Sequence, residues 1–193
     1  MATNCYSHLK FFSVCNDGFY FEAPATDVHE DHFKASVCQS QQYLIQSNEN
    51  QFVIVTEKQF LAEERSDEQH QTDNIFNIKI YNSDCTDGQE YNGIAVMIYA
   101  KDKNGKKLMV YHSDDEVRPE PMDLPENIDG NEHRALFYME KLSAMKYNLR
   151  SSCCRDKFLA FKEMVVDNCT LYKLVLRCKE SVDEPCEINL VKV

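Results

Sequence analysis

Short runs in which apolar and polar residues alternate recur along most of this chain, and a period of two suits strands while leaving no face for a helix. The pattern appears at Phe19-Tyr20-Phe21, at 43–45 and at 51–55. Phe76, Ile78 and Ile80 then alternate with Asn77, Lys79 and Tyr81, and Ile94, Val96 and Ile98 with Ala95, Met97 and Tyr99. Each run is expected to offer one apolar face to a core. Residues 107–111 follow Lys103-Asn104-Gly105-Lys106, whose Asn-Gly pair marks a hairpin because both residues tolerate positive φ. Further runs at 135–139, 146–150, 157–161, 171–177 and 188–193 bring the expectation to about twelve short strands in an all-β domain.

Two segments interrupt the alternation. Residues 57–73 are charged and rich in Gln; 113–131 hold Asp114-Asp115-Glu116 together with Pro119, Pro121 and Pro125. Both read as exposed loops, the first with the alternative of a short helix through Phe60 and Leu61. Ten Tyr and eleven Phe in 193 residues can fill one sizeable core, so a single domain is the default. A sandwich, a barrel and a trefoil all accommodate such a strand count, and periodicity does not choose between them.

The charge narrows the partners. With 32 carboxylates against 21 bases, a net of −11, the balance disfavours nucleic acid and an anionic membrane, which call for clustered Lys and Arg, and either suits a basic partner or only keeps the protein soluble. The early apolar run from Leu9 to Cys15 is broken by Lys10 and Ser13 and has no basic flank, so it does not read as a secretory signal, and no run of 18 apolar residues occurs. Cytosolic synthesis is the expectation. The nine cysteines are odd in number and scattered without a C-x-x-C pair, which points to free thiols and away from a zinc site. The sequon Asn168-Cys169-Thr170 is expected to stay unused.

Nothing assembles an enzyme. The six histidines (8, 29, 32, 70, 112 and 133) accompany no G-x-S-x-G elbow, P-loop or H-E-x-x-H. Cys153 or Cys154 could be paired on paper with His112 or His133, as in any cysteine-rich chain, and no catalytic residue, metal or cofactor is assigned. Asp114, Asp115 and Glu116 lack the D-x-D-x-D-G spacing of a calcium loop and read as a solvated acidic stretch.

The last fifty residues carry a resemblance. Tyr147-Asn148-Leu149-Arg150-Ser151-Ser152, followed through Cys153 to Lys157 by Phe158-Leu159-Ala160, resembles the signature of the interleukin-1 family of cytokines. Leu171 to Arg177 resembles a late strand of one branch of that family, and residues 188–193 lie where its closing strand would. Upstream, 74–81 and Gly93-Ile94-Ala95-Val96 resemble the paired strands after the first long loop. The likeness is weak at 57–73 and 112–131, and the family's proline after the serine is absent, with Arg155 nearby, a departure that the same branch shares.

The resemblance implies a β-trefoil of about twelve strands over 32–193 behind a propeptide of 1–31, acting by binding and as a monomer. The leader holds one lysine against five carboxylates, a net −4, leaving 20 basic and 27 acidic residues after position 31. Val28-His29-Glu30-Asp31 before His32 is the candidate caspase site, with Asp31 as P1, because such proteases hold that carboxylate with arginine and need an extended, accessible segment. His29 stands at P3, where related sites favour Glu. Phe11, Phe12, Phe19 and Phe21 are expected to pack on the trefoil and cover a receptor surface, since so many exposed rings would invite aggregation. Implied partners are a two-chain immunoglobulin-like receptor, an inflammatory caspase and a soluble binding protein. The precursor would be cytoplasmic and the cut form extracellular. Lys34, Asp67, Lys106 and Asp129 are position-based guesses for receptor contacts. A trefoil protease inhibitor, with 113–131 as its rigid loop, or a lectin is the rival from another class.

Overall fold

A computed structural model describes residues 10–15, 18–22, 32–65, 72–83, 93–130, 132–166, 169–179 and 184–193, for 10–15, 18–22, 32, 72, 83, 166 and 169 the backbone alone. The leader contributes a two-stranded antiparallel sheet, β1 (Lys10–Cys15) with β2 (Gly18–Glu22), in which Phe11 faces Phe21 and Val14 faces Phe19. The expected strand at Phe19-Tyr20-Phe21 is there. Packing of the leader's aromatic rings lies outside the described residues.

Twelve further strands form three consecutive groups of four. The first is β4 (Gln41–Gln46), β5 (Phe52–Val55), β6 (Phe60–Glu63) and β7 (Phe76–Ser83). The second is β8 (Ile94–Lys101), β9 (Lys107–Ser113), β10 (Glu116–Pro121) and β12 (Leu136–Lys141). The third is β13 (Lys146–Ser151), β14 (Lys157–Val166), β15 (Cys169–Cys178) and β16 (Ile188–Lys192). The first and last strands of each group pair around a closed ring, β4–β7–β8–β12–β13–β16 and back to β4, every ladder antiparallel. The two middle strands of each group form a hairpin, and the three hairpins meet where β15 pairs with both β6 and β10. A six-stranded barrel capped by three hairpins is a β-trefoil.

Closure leaves no free edge in the ring, and its interior is filled from all three groups: Ile45, Val53 and Phe76, then Val96, Ile98 and Phe137, then Leu149, Leu159 and Ile188 are all essentially solvent-free. Both segments expected to be loops contain strands. β6 buries Phe60 and Ala62 inside the stretch 57–73, and β10 buries Val117 and Pro119 inside 113–131. Two inward side chains are enough to dock a four- to six-residue strand on its hairpin partner; the charges that suggested a loop take the outward positions of β10, and in the first stretch all but Glu63 lie outside β6. The prolines of β10 are tolerated because this strand is paired fully on one side only, touching β15 at Glu116 alone.

The threefold symmetry resides in the backbone. The turns β4–β5 and β8–β9 are superimposable in their bonding. Ser47 N–H donates to Gln51 O and Asn50 N–H to Ser47 O, as Asp102 N–H does to Lys106 O and Gly105 N–H to Asp102 O. Ser47 Oγ accepts from the amides of Glu49 and Gln51, and Asp102 Oδ1 from those of Asn104 and Lys106. The fourth residue is left-handed in both, Asn50 at φ 61° and Gly105 at φ 80°. The predicted Asn104-Gly105 hairpin therefore exists, although Asn104 itself keeps a negative φ.

One strand departs from the one-faced pattern. β8 is buried on both faces from Ala95 to Ala100: Val96, Ile98 and Ala100 point into the barrel, while Ala95, Met97 and Tyr99 enter a second apolar cluster outside it. That cluster is roofed by two short strands beyond the trefoil's twelve, β3 (His32–Ala35) and β11 (Asn127–Asp129), through Phe33 and Ile128.

Candidate functional site

β3 begins at His32, the first residue of the expected mature segment, and its Phe33 belongs to the outer cluster. The sequence His32-Phe33-Lys34-Ala35 alternates, and Phe33, only 1 % exposed, is its anchor in the cluster against Tyr138 at 6.3 Å between ring centroids. On one side β3 pairs with the end of β7, Phe33 opposite Ser83 and Ala35 opposite Tyr81. On the other it pairs with β11, His32 opposite Asp129, Phe33 opposite Ile128 and Lys34 opposite Asn127. The exit from β3 is fastened as well. Ala35 N–H donates to Glu126 O at 2.8 Å and Ser36 N–H to Ile80 O at 2.9 Å. The Lys79 ammonium donates to the carbonyls of Ser36 and Cys38 at 2.5 and 2.8 Å, and the Tyr81 hydroxyl to Pro125 O at 2.8 Å. Burial pushes the Tyr81 phenol up to about 12, so it stays a donor throughout the physiological range.

Of the predicted junction, Asp31 lies outside the described residues, whereas the backbone of His32 is a ladder residue. A protease reading 28–31 as an extended strand would meet a P1′ residue already committed to a sheet. Lys34 and Asp129, both exposed, are brought onto neighbouring strands of the β3–β11 pair. Lys106 sits apart on the β8–β9 turn, also exposed, and Asp67 lies outside the described residues.

The paper dyads of cysteine and histidine do not form: among the described residues no thiol is hydrogen-bonded to His112 or His133. His133 Nδ1 accepts from Ala135 N–H instead, and burial raises the Cys153 thiol away from thiolate character. A different pair, missed in the sequence, lies in the interior. His112 Nε2 is 2.9 Å from Ser151 Oγ, with the imidazole edge-on to Phe137. Ser151 is fully buried, and its oxygen also accepts the amides of Cys153 and Cys154. With no route for a substrate to the hydroxyl, the pair fastens the β13–β14 turn to β9. Burial first, then the positive charges of Arg134 and Lys157, pull His112 down to about 4, so it is neutral at pH 7.

The acidic trio after β9 is likewise structural. Asp114, left-handed at φ 55°, and Asp115 make the two-residue β9–β10 turn; Asp115 bonds Lys157 at 2.6 Å and Glu116 bonds Lys173 at 3.1 Å, clamping this hairpin to the third one. Among the described residues no group of three His, Cys, Asp or Glu could hold a metal ion, and Cys38, Cys153, Cys154 and Cys178 are free thiols.

No family model matches the sequence, and no curated protein matches it. Solved structures do. A hydrophobic-cavity mutant of chicken interleukin-1 aligns over 82 % of this chain and 99 % of its own, at 15 % identity and a TM-score of 0.58. A Gallus interleukin-1 point mutant aligns over 82 % and 98 %, at 16 % identity and 0.61. What is shared is the β-trefoil. A mosquitocidal holotoxin also matches, over 81 % of this chain but 18 % of its own, at 18 % identity and 0.56, so the same fold serves as one part of a much larger toxin.

Proposed function

We propose that the chain is the precursor of an interleukin-1-type cytokine, most like interleukin-18, that is cut after Asp31 by an inflammatory caspase. The cut form then binds a two-chain immunoglobulin-like receptor, a ligand-binding chain followed by an accessory chain, and drives inflammatory signalling of the interferon-γ-inducing kind. In this reading the precursor is cytoplasmic, the mature form is extracellular, and a soluble binding protein competes for it. The observation that carries the proposal is the near-complete overlap with chicken interleukin-1, 98–99 % of those chains against 82 % of this one, beside the resemblance at 147–160. Another interleukin-1 family member is the nearer rival. The inhibitor reading loses its main support, since 113–131 contains β10 and β11 in place of a protruding loop.

The deciding experiment uses the full chain and its D31A variant, each incubated with inflammatory caspases and then titrated with the receptor chains. Cleavage before His32, abolished by D31A, together with receptor binding gained only on cleavage, is the expected result. Full receptor binding by the uncut chain, or cutting elsewhere, overturns it.

A further inference from the structure

The β8–β9 turn carries Lys101, Lys103, Lys106 and Lys107 within seven residues of a chain whose net charge is −11. Lys101, Lys103 and Lys106 are exposed and have no ion pair among the described residues; Lys107 is half-buried and lies 3.5 Å from the fully exposed Asp123. Asp102, the turn's own carboxylate, spends Oδ1 on the amides of Asn104 and Lys106.

The fold does not ask for this charge. The equivalent β4–β5 turn makes the same backbone and capping bonds with Ser47-Asn48-Glu49-Asn50-Gln51, which holds no lysine and one carboxylate. The third equivalent turn, counted over the same seven residues 151–157, offers two cations, Arg155 beside Asp156 and Lys157 bonded to Asp115. Lys101 and Lys107 moreover stand directly opposite each other across the ladder, a like-charge placement that weakens a sheet. The concentration of cations is therefore specific to one lobe and runs against local stability.

We propose that this turn is a docking site for a linear sulfated polysaccharide of the glycosaminoglycan class. Protein interfaces draw their energy from buried aromatic and aliphatic anchors, and residues 103–106 present none: all four are exposed, and none is apolar. Flexible lysines on a pre-folded turn suit a ligand that is itself a row of anionic groups, held by charge and counterion release. Lys106 then belongs to this sugar site, and the assignment stands or falls apart from the receptor reading.

The test is binding of the full chain to a heparin oligosaccharide across a salt series, with K103Q/K106Q and, as a control of equal net charge, K58Q/K141Q, which removes exposed lysines from the β5–β6 turn and the end of β12. The wild-type chain and the control should bind alike. K103Q/K106Q should bind roughly tenfold more weakly, with the log–log salt slope reduced by about one per lysine removed, and K103R/K106R should restore binding. Unchanged binding by K103Q/K106Q, an equal loss in the control, undiminished binding to the desulfated sugar, or equally tight binding to an oligonucleotide of the same charge would each overturn the proposal.

Discussion

The two apolar clusters that share β8 are built by different rules. The barrel core takes side chains from every lobe and is sealed by a ring of ladders without an edge. The outer cluster depends on two strands of three and four residues, β11 and β3, laid over the second lobe. Adjacent residues of β12 belong to opposite sides: Phe137 faces the barrel, while Leu136 and Tyr138 face outward. Symmetry thus supplies the stability of the domain, and the asymmetric roof supplies the place where the proposed cleavage occurs. A roof of two short strands lies outside that ring, so it can open without breaking the ladders of the barrel beneath it.

The comparison can be broken most sharply at Phe137. F137A should lower the free energy of unfolding by about 3–5 kcal/mol, seen in urea melts as one cooperative transition at lower denaturant, because the cavity opens in the closed core. Acid should come next. His112 is held near 4 when folded and returns to about 6.5 when unfolded, so the unfolded state binds the extra proton. Its contribution is fully present above about pH 6.5 and is lost as pH falls toward 4, amounting to roughly 3 kcal/mol across that window. Urea melts at pH 7 and 4.5 should differ accordingly, and H112N should flatten the difference. F33A sharpens the contrast from the other side. Hydrogen exchange should accelerate in β3 and β11 by about two orders of magnitude while β13 to β15 keep their protection, with a smaller shift in the global melt than F137A gives. Smallest are the paired turns: G105A, forced at φ 80°, should cost about 1 kcal/mol, whereas N50G should change stability by only a few tenths in thermal melts.

Strands whose alternation spans five or more residues were legible in the sequence because burial on one face leaves a period of two. β6 and β10 were not, since Phe60 with Ala62, and Val117 with Pro119, are too few inward residues to stand out among charges. β8 was read as one-faced because the sequence says nothing of a roof; Met97 and Tyr99 are buried only because β3 and β11 arrive from distant positions. The internal symmetry escaped notice for a related reason. Ser47 and Asp102, Asn50 and Gly105, do the same work with different letters. At the candidate site, Lys34 and Asp129 came onto adjoining strands, opposite Asn127 and His32, through a register that no local pattern encodes.

The serine beneath the β13–β14 turn sets a choice for its partner that can be read spectroscopically. Ser151 Oγ receives amide protons from Cys153 and Cys154, and its contact with His112 Nε2 runs in either direction according to the ring's tautomer. Donation by the serine puts the imidazole proton on Nδ1, a buried atom with no hydrogen-bond partner among the described residues, whereas donation by the ring leaves Nδ1 bare, and nitrogen-15 chemical shifts of the ring tell the two apart.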